Sequence, residues 1–251
     1  MIKAWNIKTM VVCALLLYVL TLLWNLPAAF VWKRLEGQLP TPVTLHGLTG
    51  TLWSGQVARM EVDGIDQGRL SWDWLPSRLL RGQIGLDLLW QPRNGKVNAQ
   101  LHAGLGSLTL SQINGTLDAA SMAAINNAPF VLRGVWLLDV PELALKDFES
   151  VVAANGRLVW QDAAGGLPQA MPFGHLTATL EDADGWLLLN LQDQGGPLGL
   201  MGDARWRPGQ PMKLNVQLQA RPDAERGLAD GLGLLGQPNA QGWVSWRAQL
   251  Q

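Results

Sequence analysis

The sequence predicts an all-β protein: a single N-terminal transmembrane helix followed by a mainly antiparallel β-sheet domain, an extended or curved meander with a few short helices. Three observations carry that expectation. Apolar and polar residues alternate in run after run past residue 43, as in half-buried antiparallel strands. Gly (28) and Pro (14) punctuate the 251 residues too densely for long helices to dominate. Only one near-continuous apolar stretch occurs, and it lies at the N-terminus.

That stretch, Met10 to Leu26, reads MVVCALLLYVLTLLWNL and is interrupted only by Thr21 and Asn25. Carried on to Trp32, it would measure about 35 Å at ~1.5 Å per residue, enough to cross a bilayer core with some tilt. Lys3 and Lys8 precede it, Lys33 and Arg34 follow it, and Trp5, Trp24 and Trp32 fall near its ends. Basic flanks and aromatic belts are the expected frame of a span. The expected organisation is therefore a cytoplasmic tail at 1–9, a transmembrane signal-anchor at 10–32, a juxtamembrane segment at 33–42 and a β-rich domain at 43–251. A cleaved signal peptide fits less well, because the stretch is long for such a segment and Leu26 or Pro27 would fill the small-residue place before a cut. With Lys3, Lys8, Lys33 and Arg34 set aside, 15 basic residues remain against 20 acidic ones. A retained tail and a translocated, mildly acidic domain would make a single-pass inner-membrane protein, N-terminus cytoplasmic and bulk periplasmic.

The anchor helix is expected to continue through 28–36 and stop at Gly37, with Pro40 beyond. Strands are then expected at Arg69–Trp74, Gln83–Trp90, Lys96–Ala103, His175–Leu180 and Met212–Ala220, and through Val244, Trp246, Ala248 and Leu250. Pro76–Gly82 has Pro at its start and Gly past its end, the signature of one helical turn. A weaker candidate turn lies at 121–126. After Pro222, Asp223 and Glu225 suit the first turn of a helix, with Ala224, Leu228, Leu232 and Leu235 as its apolar stripe. Gly-x-apolar-x-Trp recurs at 68–72, 156–160, 202–206 and 242–246. The spacing is too irregular for a solenoid. It suggests two similar halves, 43–118 and 130–220, in one continuous sheet or two abutting ones.

Little in the chain points to chemistry. A formal charge of −1 gives no purchase on nucleic acid. Three His and one Cys, the latter inside the apolar stretch, leave no metal-ligand spacing and no internal disulfide. His102 and His175 take polar-phase strand positions and are expected on a solvated face; His46 lies near a turn. Glu181-Asp182-Ala183-Asp184-Gly185 reads as a hairpin turn between Leu180 and Trp186. No phosphate loop or nucleophile elbow occurs. No enzymatic activity, cofactor or metal is expected, and an envelope hydrolase is the weakest reading. Thirteen Trp could make a sugar-stacking platform, but Trp72, Trp74, Trp90, Trp160, Trp206 and Trp246 all fall on the apolar phase of their strands.

Two blocks are distinctive together. Gly50-Thr51-Leu52-Trp53-Ser54-Gly55 follows the apolar stretch by about twenty residues, and a strand containing Trp72 then leads into Pro76-x-x-Leu79-Leu80-x-Gly82. In this order they resemble the type II secretion system protein N family, over essentially the whole chain. The resemblance implies an inner-membrane-anchored, periplasm-facing scaffold or adaptor that assists export of folded proteins across the outer membrane. It implies partners among the other subunits of that machine: the inner-membrane platform, the pseudopilus or the secretin. It makes those eleven named residues the candidate interaction site, with the 50–55 turn open to either a binding or a structural role. The residues alone also suit an alternative, a tethered β-trough that binds or transfers membrane lipid.

Overall fold

A computed structural model describes residues 7–38, 42–121 and 131–250 of the chain. Two short helices, α1 (Ile7–Trp24) and α2 (Ala28–Leu35), precede fourteen strands: β1 (Val43–His46), β2 (Thr49–Gly50), β3 (Ser54–Val62), β4 (Ile65–Trp74), β5 (Ile84–Gln91), β6 (Gly95–Gly104), β7 (Ser107–Asp118), β8 (Val131–Lys146), β9 (Ser150–Gly166), β10 (Met171–Ala183), β11 (Trp186–Asp193), β12 (Leu198–Trp206), β13 (Met212–Ala220) and β14 (Val244–Leu250). A third helix, α3 (Arg226–Leu235), lies between β13 and β14.

The strands form one antiparallel sheet in chain order from β1 to β14, with β2 folded back onto β3. Alternation and tight turns explain the meander. At Asp184-Gly185 both residues have positive φ (51° and 82°), and Ala183 pairs with Trp186. The expected hairpin forms there, because that backbone matches the twist of the flanking strands. The turn at 76–82 forms as well: Pro76–Arg81 is a 3-10 segment, closed by Gly82 in the left-handed region. The candidate turn at 121–126 lies, apart from Ser121, outside the described residues.

Register separates the two faces across the whole sheet. On one face Val57, Leu70, Trp90, Val97, Gly115 and Leu138 pair in succession from β3 to β8. The row continues as Leu158, Ala178, Leu191, Gly202, Val216 and Trp246 to β14, without a polar side chain. The adjoining row on the other face reads Gln56, Ser71, Leu89, Asn98, Asn114 and Asp139, then Arg157, Thr179, Asn190, Asp203, Asn215 and Arg247. A side-chain period of two, held in register strand after strand, produces both lanes.

The apolar face carries two cores. One gathers Val140, Val151, Ala154, Leu180 and Leu187. The other lies at the β12–β14 end, where Leu228 and Leu232 of α3 pack on Leu198, Val216, Leu218 and Val244. The stripe read from the sequence is thus the buried one, although α3 starts at Arg226, so Asp223 and Glu225 stand before its first turn. Leu235 is left exposed.

The expected transmembrane span at 10–32 does not form. α1 has 18 residues, about 27 Å at ~1.5 Å per residue and short of a hydrocarbon core of ~30 Å. The chain then breaks at 25–27 before α2 begins. Among the described residues no helix is long and apolar enough to cross a membrane. The break has a local cause: Pro27 has no amide hydrogen and disfavours the helical conformation at Leu26. Asn25 closes α1, its main-chain and side-chain nitrogens both donating to Thr21 O at 3.1 and 2.9 Å. The transmembrane signal-anchor, and the helix continuous to residue 36, are therefore corrected to two helices joined by a corner. α1 keeps its apolar side chains, Leu16, Leu20 and Leu23 among them, exposed.

Candidate functional site

The Gly50–Gly55 block is a compact turn between β2 and β3. Thr51 organises it: its amide donates to Ser54 O at 2.8 Å, and its Oγ1 accepts from the amides of Trp53 and Ser54 at 3.3 and 3.2 Å. Gly50 sits at φ +93°, with Ser54 O and Gly55 Cα where a β-carbon would stand. Gly55 lies under the indole of Trp72, whose Nε1 donates to Leu52 O at 3.1 Å. Composition and spacing thus fold the block locally, with the Trp72 strand as its floor.

The outer rim of this turn holds the α1–α2 corner. Leu52 N donates to Leu26 O at 2.9 Å, Trp53 Nε1 donates to Leu23 O at 2.8 Å, and Pro27 and Thr51 form an isolated antiparallel bridge. Leu26 O, left open past the end of α1, is taken up by the first of these, and Leu23 O, which also accepts from Leu26 N at 3.4 Å, gains a second donor. Three indoles meet beside them. Trp24 packs edge-on to Trp74 at 5.2 Å between ring centroids, and Trp53 is tilted against Trp74 at 5.4 Å. Ser54 Oγ donates to Asp73 Oδ1 at 2.6 Å. Between them lies a cavity of about 440 Å³, reaching from Trp24 and Asn25 to Pro76.

Of the residues singled out in the sequence, the structure brings Gly50, Thr51, Leu52, Trp53, Ser54, Gly55 and Trp72 together, with Pro76 at the cavity edge. Leu79, Leu80 and Gly82 do not line it; Leu79 is exposed and Leu80 is 92% exposed. The sequence reading missed Leu23, Asn25, Leu26, Asp73 and Trp74 as members. The available signal was the Asn25-x-Pro27 interruption, which marks a corner needing a partner for its free carbonyls.

Two polar groupings lie elsewhere. His102 corrects an expectation: it holds the polar phase but is only 4% exposed, with Nε2 3.0 Å from Ser111 Oγ. On the same face the 76–81 turn places Arg78 against Gly85, the cross-strand partner of His102. His175 is exposed as expected and accepts from Asp162 N through Nδ1 at 3.1 Å. His46 Nε2 stands 3.3 Å from Glu61 Oε2.

The second grouping joins β11 to the far end of β13. Arg221 Nη2 donates to Asp193 Oδ1 at 2.7 Å, and Nη1 donates to Gly196 O at 2.9 Å. Burial pushes the Asp193 carboxyl up. The amides of Leu200 and Gly195 and the Arg221 guanidinium outweigh it and hold the pKa below the usual carboxylate value. Among the described residues no group of three His, Cys, Asp or Glu is placed to hold a metal ion.

Comparison with known proteins identifies a family. Residues 41–247 match the family described as type II secretion system (T2SS), protein N. The type II secretion system protein N of Aeromonas hydrophila is 28% identical over 244 residues, covering 94% of each chain. That of Vibrio cholerae serotype O1 is 27% identical over 244 residues, covering 90% of this chain and 91% of its own. No solved structure matches the chain. On a match spanning the strands from β1 to β14, the chain belongs to the type II secretion system protein N family.

Proposed function

We propose that this chain is an adaptor of the type II secretion machine, held at the inner membrane by the exposed apolar surface of α1 and presenting its sheet in the periplasm. One observation carries the reading: the Gly50–Gly55 turn fastens the α1–α2 corner to the start of the sheet through Leu52 and Trp53. A membrane-held helix would then set the position of β1 to β14 as one piece, as an adaptor requires. The partners under this reading are other subunits of the machine: the inner-membrane platform, the pseudopilus or the secretin. Contact through the exposed strand edges at β1 or β14 is the simplest mode, since an edge presents unpaired main-chain groups. The test is deletion of the gene. Folded secretion substrates are expected to accumulate in the periplasm and to be released again on complementation. Normal secretion without the chain would refute the reading.

A second reading is favoured by the apolar lane from Val57 to Trp246, in which Leu138, Leu158 and Leu191 are only half-buried. Such a lane suits acyl chains laid along the sheet. Native mass spectrometry of the detergent-purified chain should then show co-purifying lipid, and a clean apo mass would dismiss it.

A further inference from the structure

The rim of the sheet that carries the helix corner is tipped with apolar side chains. In a meander that follows chain order, successive connections alternate between the two rims. The Gly50–Gly55 turn, the 75–83 connection, the β6–β7 hairpin and the β8–β9 hairpin therefore share one rim. The last three stand level: Gln83 lies beside Gly104, and Asp147 N donates to Gly106 O at 2.6 Å. At their tips Leu79 is half exposed, Leu80 is 92% exposed, Leu105 is fully exposed and Phe148 is half exposed. On the opposite rim the β3–β4 and β5–β6 connections present Asp63, Arg93 and Asn94 to solvent. Among the described residues, the first large apolar side chain at a tip of that rim is Leu167, beyond β9.

These tips gain little from the fold. Hairpin turns favour Gly, Asn, Asp and Ser, yet Phe148 sits at φ +57°, a backbone that suits Gly or Asn. A bulky ring held in a strained conformation and facing solvent points to use outside the chain. The helix indicates what covers it. α1 exposes its apolar side chains and ends at Trp24, which is itself exposed and packs edge-on to Trp74, the last residue of β4. An apolar helix ending in Trp marks the headgroup level of a bilayer. Past that level the sheet runs on. Leu101 is in register with Trp74 through Leu86, and Leu105 lies four residues further, about 13 Å at ~3.3 Å per residue.

The chemistry of the tips agrees. The 76–82 turn carries Arg78 and Arg81 beside its leucines and no acidic residue, a mix suited to apolar insertion beneath phosphate groups. Phe148 stands between Asp147 and Glu149, which keep that tip among the headgroups, the level an aromatic ring favours. Neighbouring tips are two strands apart, about 10 Å. A fluid layer receives such separate side chains without the matching pockets that a folded partner would have to supply.

We propose, building on the reading that α1 is held at the inner membrane, that the rim bearing Leu79, Leu80, Leu105 and Phe148 is seated in the headgroup layer of the same bilayer, its leucines inserted among the acyl chains. The strands then stand away from the membrane. They carry the Asp63 and Asn94 tips into the periplasm, about 33 Å off for a ten-residue strand such as β6 at ~3.3 Å per residue.

The test uses the full chain with Cys13→Ser, a nitroxide on Ser77→Cys, Ser107→Cys or Asn94→Cys, and phosphatidylcholine vesicles. Labels at 77 and 107 adjoin the apolar tips and leave them intact; the label at 94 reports the opposite rim. On vesicle addition the first two are expected to lose contact with an aqueous nickel relaxant and gain contact with dissolved oxygen, while the third stays in water. Leu80→Ser with Leu105→Ser should lower the ratio of docked to free label about ten-fold. Its melting temperature should not change, because both side chains are exposed. A chain that floats with vesicles while all three labels stay in water overturns the seated rim and leaves the attachment of α1 standing; a chain that does not float overturns both. Labels at 77 and 107 shielded from nickel and oxygen alike would mean contact with a second copy of the chain, and a label at 94 entering the bilayer with them would mean a sheet lying flat. Either result overturns the proposal, as does unchanged docking of the folded double variant.

Discussion

The indole nitrogen of Trp53 donates to the main-chain carbonyl of Leu23 across 2.8 Å and thirty residues of chain. That bond joins the Gly50–Gly55 turn to the helix corner that precedes it. It also explains why a Trp stands in the turn: only an aromatic with a ring N–H both packs on Trp74 and reaches the open end of α1.

Trp53→Ala should loosen the corner while leaving the sheet formed. The lost hydrogen bond and half-buried ring correspond to about 2 kcal/mol of local stability. Hydrogen exchange at residues 24–30 should rise and proteolysis there should quicken, with little change in β3–β14. Trp53→Phe, which loses only the donor, should cost about 1 kcal/mol.

Gly50→Ala tests the turn itself. At φ +93° a side chain is strained whatever the space, and here the new β-carbon would also collide with Ser54 O and stand 2.6 Å from Gly55 Cα. A loss of about 1–3 kcal/mol is expected from the strain. Thermal unfolding checks it, and the exchange pattern of Trp53→Ala should be reproduced.

The Asp193–Arg221 pair predicts the acid limb of stability. A carboxyl whose folded pKa is depressed stabilises the protein fully above its unfolded pKa, and that contribution disappears as pH falls through the lower folded value. Denaturant titrations from about pH 6 to about pH 3 should show it draining away below the ordinary carboxylate value. Asp193→Asn should flatten that slope. Arg221→Met should destabilise already at neutral pH, because Asp193, with its side chain 11% exposed, loses its counter-charge.

Leu228→Ala and Leu232→Ala each remove a buried side chain of α3, and each should cost about 2–4 kcal/mol. Increased exchange should centre on β12–β14, because α3 packs there and the other core, around Val151 and Leu180, is built without it.

The strands were legible because each pairs with the next along the chain. Alternation at Met212–Ala220 and around Leu70, Trp72 and Trp74 needed no distant partner to be interpreted, and the turn at Asp184-Gly185 is set by two residues. The core Trp phases were legible for the same reason: Trp90 and Trp246 fall in the apolar lane. The helix corner was not, since the apolar run masked what Asn25 and Pro27 do to it. Nor was the burial of His102, which holds the polar phase of its strand and is nevertheless covered.

By itself, then, the sequence determined an antiparallel meander with one apolar face, because a period of two and local turns are properties of neighbouring residues. Its Gly50–Gly55 and Pro76–Gly82 blocks also marked the family. Only the tertiary structure decided that the apolar run is two helices meeting at a corner, and that the corner is fastened by Leu52 and Trp53. That decision depends on which distant donors reach the carbonyls of Leu23 and Leu26 at the end of α1. Such contacts connect residues some thirty positions apart, and no periodicity in the chain encodes them.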